Sequence, residues 1–227
     1  MPNPIKKKAV KWIDDLTGAW DDVPEGYVRL ENGDLFKLSN SGDTQVATTV
    51  GTYRKAAEML DRLGSGDKRI DYGAGKGLGT DIIKAKSYEP FPEEGFTPDY
   101  TTPPNELFDA VVNLNVLNVL PPQVRDQVAK ELLDRVRMGG DALVGARSYS
   151  DVMNAKNPKM VGDGGIVTSK GTYQYGFGGK NEGLIDYLNR MAEDMGEGKR
   201  FEMEKAPLAA TGAKIKRVPK KRKKSGK

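Results

Sequence analysis

The hydrophobic pattern alternates short strand-like runs with stretches of helical periodicity. Runs at 69–72, 108–114 and 142–146 predict strands, and the last two are almost continuously apolar, as is typical of strands buried on both faces of a sheet. Residues 52–63 and 181–195 instead carry apolar side chains every three or four positions, which predicts helices. Strands that alternate with helices indicate βαβ units, so we predict an α/β protein with a mostly parallel sheet.

Turn signals and shorter runs complete the predicted order of elements. Asn32-Gly33 predicts a hairpin over residues 27–38, and residues 165–177 show a second hairpin pattern. Pro121-Pro122 opens a further helix, which Gly139-Gly140 is expected to end. The remaining predicted elements are, in chain order, a helix through Leu78, Ile82 and Ile83, a strand at 87–89 and a strand at 201–203.

Charge and composition divide the chain into three predicted regions: an arm with a hairpin at 1–48, a domain at 49–205 and a disordered basic tail at 206–227. The tail holds nine Lys or Arg and no acid, whereas the rest holds 27 basic and 32 acidic residues. A basic arm of this kind, from Lys214 to Lys227, is predicted to contact nucleic-acid phosphates, and a role in solubility is the alternative.

Missing residue types exclude several kinds of chemistry. The chain contains no Cys and no His, which excludes disulfides, thiolate nucleophiles, Cys/His zinc sites and a histidine base, and no metal is predicted. It has no apolar run near the roughly 20 residues that span a bilayer, and its first residues lack the apolar core of a signal peptide. We therefore expect an intracellular, cytoplasmic protein with no membrane partner.

The segment Asp71-Tyr-Gly73-Ala-Gly75-Lys-Gly77 follows the predicted strand 69–72 and is the strongest candidate for ligand binding. Glycines at alternate positions let the backbone approach a ligand closely. A dinucleotide site needs Gly or Ala five positions after its first glycine, but Leu78 or Thr80 stands there. A P-loop needs Ser or Thr after Gly-Lys, but Gly77 follows Lys76. Neither phosphate-binding motif fits.

The pattern Asp-x-Gly-x-Gly-x-Gly after a first strand resembles the first motif of the class I S-adenosylmethionine (SAM)-dependent methyltransferases. Glu89 lies 18 residues past Asp71, where this family places an acid on the ribose hydroxyls. The resemblance covers roughly residues 50–205 and implies a Rossmann-like fold, SAM as cofactor and methyltransferase activity. The cofactor-binding residues that it implies are Asp71, Gly73, Ala74, Gly75, Gly77, Glu89, Pro90, Asn113, Asn115 and Val116.

Other features depart from that family. The proline-rich stretch 91–106 is short, so the helix and strand usual there are expected to be reduced. No side chain stands out as a catalytic base, and the Asp/Asn-Pro-Pro-Tyr signature of amino-directed DNA methyltransferases is missing. Residues 165–175 loosely resemble a segment of bacterial and phage methyltransferases associated with DNA modification, which suggests a phage-encoded protein.

Physical chemistry agrees with SAM, which carries a carboxylate and an ammonium but no phosphate. A glycine loop at a helix N-terminus offers N–H groups and a positive dipole end to the carboxylate, and Asp71 is expected to hold the ammonium. Three polar residues stand in a buried-strand context, namely Asn113, Asn115 and Asn118. Buried polar groups need partners, so these residues are either structural caps or ligand contacts, and both readings stay open.

Substrate contacts are the least determined part of the prediction. The candidates are Tyr53, Asn118, Tyr173 and Tyr175. Tyr53 either lies on a solvated helix face or closes over the cofactor. The alternating Tyr173, Tyr175 and Phe177 either belong to the core or form a wall for a flat substrate. We predict methyl transfer to an unidentified acceptor, with nucleic acid favoured by the tail, and the alternative is an inactive methyltransferase-fold protein that binds nucleic acid or an assembly.

Overall fold

A computed structural model describes residues 23–24, 26–38 and 49–219. Its elements are, in chain order, β1 (Tyr27–Arg29), β2 (Leu35–Lys37), α1 (Thr49–Leu63), β3 (Arg69–Tyr72), β4 (Lys86–Tyr88), β5 (Phe108–Leu114), α2 (Pro122–Asp134), β6 (Val136–Ala146), α3 (Tyr149–Met153), β7 (Lys159–Met160), β8 (Ile166–Val167), β9 (Tyr173–Gln174), α4 (Leu184–Asp194), β10 (Phe201–Lys205) and β11 (Thr211–Arg217). Within these residues no helix has the length and apolarity needed to cross a membrane.

A six-stranded sheet forms the centre of the protein, in the order β10-β11-β6-β5-β3-β4. The strands β4, β3, β5 and β6 are parallel, whereas β11 runs antiparallel to both of its neighbours, β10 and β6. The predicted α/β fold with a mostly parallel, Rossmann-like sheet is confirmed. Parallel strands end at the same edge of the sheet, and that edge carries the candidate site.

Helices cover both faces of the sheet, because the side chains of β5 are apolar on both sides. Val112 packs with Leu60 of α1 in one apolar cluster, whereas Val111 packs with Leu132 of α2 and Leu188 of α4 in the other. Successive residues of a strand point to opposite faces, so a nearly continuous apolar run requires cover on both sides. The two predicted hairpins are also present, as β1–β2 and β8–β9, and β7 adds a third strand to the second.

Two predicted helix features are wrong. Residues 78–84 form hydrogen-bonded turns rather than a helix, with Ile82 N–H donating to Gly79 O at 3.0 Å and a left-handed Lys84 (φ +52°) ending the turn before β4. The connection from β3 to β4 runs over residues 73–85, and the part after the glycine loop has room for only about two helical turns. Gly139-Gly140 does not end α2 either, because that pair lies inside β6, where the register with β5 shifts.

The expected disorder of residues 206–227 is wrong for 211–217. These residues form β11, between β10 and β6, with Ala213 and Ile215 fully buried. Basic side chains of the same strand are ion-paired, Lys216 with Asp141 of β6 and Arg217 with Glu197. The alternation in Thr-Gly-Ala-Lys-Ile-Lys-Arg is that of a half-buried strand. The basic composition of the tail favoured the prediction of disorder over this strand pattern. Residues 220–227, like the arm 1–22, lie outside the described residues.

The proline-rich stretch 91–106 replaces a further strand, as predicted. It makes a single parallel bridge to the edge of the sheet, between Tyr100 and Tyr88, and Tyr100 N–H donates to Ser87 O at 2.9 Å. Asp99 accepts hydrogen bonds from the backbone and the hydroxyl of Ser87. The edge of β4 is therefore covered by a loop.

Candidate functional site

The glycine loop leaves β3 in a conformation that only glycine adopts easily. Gly73, Gly75 and Gly77 have φ values of +91°, +58° and +72°, in the left-handed region. The N–H groups of Gly73 and Ala74 donate to Tyr88 O at the end of β4, at 2.9 and 3.0 Å. These hydrogen bonds join the ends of β3 and β4 and hold the loop across the edge of the sheet.

Neighbouring side chains lie where a larger residue would need space. A Cβ on Gly73 would lie 2.6 Å from Val116 Cγ2, and a Cβ on Gly77 would overlap the ring of Phe96. Val116 follows β5, so its contact with Gly73 connects the loop to the next strand. Close packing and left-handed backbone thus both require glycine at these two positions.

Asp71, the last acid of β3, is fully buried under the loop. One of its carboxylate oxygens accepts a hydrogen bond from the Tyr53 hydroxyl and the other from the Thr80 hydroxyl, both at 3.0 Å. Burial raises the pKa of Asp71 to about 7, because an ionised carboxylate loses its hydration there, and the charge of Glu89 adds to this effect. Asp71 therefore holds Tyr53 of α1 and the turn after the loop against the site.

Glu89, directly after β4, lies against the glycine loop. Its Oε2 accepts a hydrogen bond from Gly75 N–H at 2.7 Å, and its Oε1 accepts one from Phe91 N–H at 3.1 Å. Burial raises the pKa of Glu89 to about 7, although both backbone hydrogen bonds favour the ionised form. Pro90 follows it and is half-buried. A carboxylate and the glycine loop thus meet at the carboxyl ends of two parallel strands.

The end of β5 supplies the third side of the site. Asn113 is fully buried and donates from Nδ2 to Tyr72 O at 2.7 Å, while its Oδ1 has no hydrogen-bond partner among the described residues. Asn115 has a left-handed backbone (φ +61°) and donates its N–H to Gly145 O at 2.7 Å, which turns the chain sharply after the strand. The residues implied as cofactor-binding therefore lie at the end of β3, in the glycine loop and at the adjoining ends of β4 and β5.

The predicted substrate residues are not all in one place. Tyr53 lies beneath the loop and its ring occupies the space that a Cβ on Gly79 would need. Asn118, on a 3-10 turn after β5, accepts a hydrogen bond from Tyr175 N–H at its backbone oxygen, at 2.7 Å. Tyr173 instead packs on Phe36 of β2, with ring centroids 6.0 Å apart, in the core cluster. The aromatic stripe is thus mainly core.

Sequence reasoning missed three residues that shape this region. Thr80 binds Asp71, and Phe96 packs over Gly77 from the proline-rich loop. Arg125, in the first turn of α2, is buried with its guanidinium carbon 3.8 Å from the centroid of the Tyr175 ring. The hydroxyl of Thr80 shortly after the motif was a usable signal. A loop phenylalanine and a helical arginine carry no local signal of burial.

The expected contribution of a helix dipole is absent, because turns rather than a helix follow the loop. The N–H groups of Gly73, Ala74 and Gly75 donate within the chain, to Tyr88 O and Glu89 Oε2. No three acidic side chains within the described ranges gather closely enough to bind a metal ion.

No family model matches the sequence, and no curated protein matches it significantly. Solved structures do resemble the fold. A SAM-dependent methyltransferase from Clostridium acetobutylicum is 10% identical, with 78% of this chain and 94% of that chain covered and a TM-score of 0.51. The SAM-bound amino pentose methyltransferase of calicheamicin biosynthesis from Micromonospora echinaspora is 10% identical, with 78% and 94% covered and a TM-score of 0.50.

A third similar structure covers more of this chain. The 1,6-didemethyltoxoflavin-N1-methyltransferase of Burkholderia thailandensis, with 1,6-didemethyltoxoflavin and S-adenosylhomocysteine (SAH) bound, is 12% identical, with 96% of this chain and 92% of that chain covered and a TM-score of 0.50. At such low identity the likeness concerns the fold, and in that respect it agrees with the resemblance predicted from residues 71–89. The chain has the fold of the class I SAM-dependent methyltransferases.

Proposed function

We propose that this chain binds SAM and transfers its methyl group to a small-molecule acceptor. One observation carries the proposal, which is the 2.7 Å hydrogen bond from Gly75 N–H to Glu89 Oε2. It brings a left-handed glycine loop and a buried carboxylate together at the carboxyl ends of β3 and β4. In open α/β sheets ligands bind at this edge, and an acid at the end of the second strand is suited to ribose hydroxyls.

The residues present suit SAM better than a phosphate-bearing nucleotide. Glycine has no side chain, so other groups can approach the loop backbone closely, as Val116 and Phe96 already do. Glu89 offers two carboxylate oxygens for ribose hydroxyls, and the free Oδ1 of Asn113 is an acceptor for the ammonium or another N–H donor. No P-loop lysine and hydroxyl follow the loop, and SAM requires neither.

The chain's contribution to the reaction would be positional. SAM supplies a methyl group that its sulfonium has already activated for attack. Glu89 and the glycine loop orient the donor, and the Tyr53–Asp71–Thr80 hydrogen bonds keep the floor of the site in place. Holding donor and acceptor in line supplies a large part of the rate enhancement of a methyl transfer that needs no strong base.

Two similar structures favour a small acceptor, since one is an amino pentose methyltransferase and another is bound to 1,6-didemethyltoxoflavin.

Nucleic acid remains a second candidate on one observation, the run Lys220-Lys-Arg-Lys-Lys224. Removal of residues 206–227 would destroy β11. The role of the basic run is therefore tested with a shortened chain that ends at Pro219 and keeps β11. Unchanged affinity of that shortened chain for a duplex DNA and a single-stranded RNA across a salt series excludes a role for the run.

Calorimetric titration with SAM and SAH tests cofactor binding. Glu89→Gln should weaken SAH binding by about 10- to 100-fold, since hydrogen bonds to charged groups contribute about 1.5–3 kcal/mol. Glu93→Gln is the matched control, because Glu93 is an acid near the loop that pairs with Lys76 instead. Failure of the unaltered protein to bind either compound would sink the proposal.

Methyl transfer is tested with radiolabelled SAM against three pools, namely small-molecule extract, total nucleic acid and total protein. We expect label in the small-molecule pool, lost with Glu89→Gln. Label in nucleic acid would instead identify the second candidate. Intact SAH binding with no label in any pool would favour the inactive binding protein.

A further inference from the structure

Arg125 is a buried cation without a matching anion. Three arginines of the described residues are less than a tenth exposed, Arg69, Arg125 and Arg217, at 7%, 6% and 8%. Arg69 and Arg217 each bind backbone carbonyls and a carboxylate. Arg125 forms no ion pair with a described carboxylate, and its Nε and Nη1 have no hydrogen-bond partner among the described residues. A buried guanidinium of this kind is costly unless something else neutralises it.

Aromatic rings enclose this guanidinium. Its central carbon lies 3.8 Å from the ring centroid of Tyr175 and 5.8 Å from that of Tyr187. Cation–π contacts of this geometry offset part of the cost of burial but leave the in-plane N–H groups unfilled. The rings therefore position Arg125 and its side chain also interacts with the Tyr173 hydroxyl, but Nε and Nη1 keep no acceptor among the described residues.

The carboxylates of the same region are already committed to other partners. Asp163 accepts hydrogen bonds from the Tyr173 hydroxyl and from Gly165 N–H. Asp126 accepts one from the Tyr187 hydroxyl at 2.9 Å, and Glu182 is paired with Arg190. None of the three forms an ion pair with Arg125.

An unfilled acceptor belongs to Asn118, whose backbone is bonded to Tyr175. Asn118 is 1% exposed and its backbone oxygen holds Tyr175 N–H at 2.7 Å. Its Nδ2 donates to Gln174 Oε1 at 3.3 Å, while its Oδ1 has no partner in the described part of the chain. Arg125 and Asn118 thus both contact Tyr175, the first at its ring and the second at its backbone. Asn118 lies on the segment that leaves the carboxyl end of β5, as does Val116 of the implied cofactor site.

We propose that Arg125 and Asn118 bind the methyl acceptor, and that this acceptor carries an oxyanion, a carboxylate or a phosphate, beside a hydrogen-bond donor. The inference rests on the proposed function, whose site it extends from the donor to the acceptor. The oxyanion accepts from Arg125 and the donor of the same molecule reaches Asn118 Oδ1. Because the two unpaired nitrogens are enclosed, binding requires a small movement of a neighbouring ring, and Tyr175 is the ring in direct contact.

The arginine Nε–Hε signals of ¹⁵N-labelled full-length protein report on this site directly. Arg125→Lys assigns the Arg125 signal by its loss, and the probes are benzoate, inorganic phosphate and the neutral benzamide. We expect a saturable shift of the Arg125 signal with at least one anion and none with benzamide, while Arg69 and Arg217 stay in place. Benzoate and phosphate distinguish the two oxyanions. No saturable shift with either anion, or an equal shift with benzamide, overturns the proposal.

Substitution supplies the functional test. Arg125→Gln should raise the KM for the acceptor isolated from the labelled extract at least tenfold, with the SAH dissociation constant unchanged within twofold. Arg190→Gln is the control, since Arg190 also lies over Tyr187, at 5.3 Å, but is exposed and paired. If Arg125→Gln fails to fold, Arg125→Lys is measured instead, with a smaller rise in KM expected. A neutral acceptor, or an unchanged KM, contradicts the inference.

The two proposals can fail separately. Anion binding at Arg125 with no SAH binding would remove the methyltransferase proposal and leave an anion site. SAH binding without an anion effect would leave the methyltransferase and remove the acidic acceptor.

Discussion

Replacing Asp71 by Asn should change how the stability of the protein depends on pH. Asp71 is fully buried, and burial raises its pKa from 3.8 to about 7. Between these values the unfolded chain has released the proton while the folded protein keeps it. Since stability falls with pH wherever the folded state binds more protons, Asp71 should lower the free energy of unfolding as pH rises from about 4 to about 7.

The magnitude follows from the two pKa values. At about 1.4 kcal/mol for each tenfold change in proton affinity, the difference between 3.8 and about 7 corresponds to about 4 kcal/mol. Above about pH 7 both states are ionised and the contribution no longer changes. Asn has no proton to lose, so the stability of Asp71→Asn relative to the unaltered protein should improve by up to about 4 kcal/mol between about pH 4 and 8. Poorer hydrogen bonding to the Tyr53 and Thr80 hydroxyls adds a constant loss of about 1–3 kcal/mol.

The assay is urea unfolding of both proteins at several pH values, followed by circular dichroism. The informative quantity is the difference in unfolding free energy and its slope with pH. Thr80→Val provides a second check. The Thr80 hydroxyl lowers the pKa of Asp71, so its removal should raise that pKa and extend to higher pH the range over which the unfolding free energy falls. Parallel profiles for Asp71→Asn and the unaltered protein would refute the reasoning.

Two further substitutions test the loop and the last strand. Gly77→Ala and Gly95→Ala should each cost about 1–2 kcal/mol of stability for a left-handed residue. Only the Cβ of Gly77→Ala meets Phe96, so only this variant should lose further stability and bind SAH at least tenfold more weakly. Equal SAH affinities in calorimetry would show that the contact is unimportant. Ile215→Ala should lower the free energy of unfolding, measured in urea, by about 2–5 kcal/mol. The control Glu202→Ala, at an exposed position, should lower it by about 0.5 kcal/mol or less. An equally small loss for both variants would mean that β11 is not part of the core.

The cofactor side of the site could be predicted because its chemistry is concentrated in one short segment. The positions that need a left-handed backbone are occupied by Gly73, Gly75 and Gly77, whose spacing is visible in the sequence. The interval from Asp71 to Glu89 reflects the length of one strand–loop–strand unit. The central strands at 108–114 and 142–146 were visible for a related reason, since burial on both faces demands apolar runs. In these places a local pattern and the tertiary structure impose the same requirement.

The acceptor side could not be predicted from local patterns. Arg125 has the sequence context of any helical arginine, and only the packing of α2 against the β9 region encloses it. The helix expected at 78–83 failed because its apolar spacing says nothing about how few residues remain before β4. Burial and connection length are properties of the assembled chain.

By itself, the sequence determined the α/β class, the glycine loop and the acid that meets it. Each of these depends on residues close together in the chain, or on apolar runs long enough to require a buried strand. Only the tertiary structure decided that 211–217 lie inside the sheet, that Asp71 supports the loop from below and that Arg125 is buried without a partner. The physical reason is that burial changes the energy of a charge by several kcal/mol, and it is set by residues far away in the sequence.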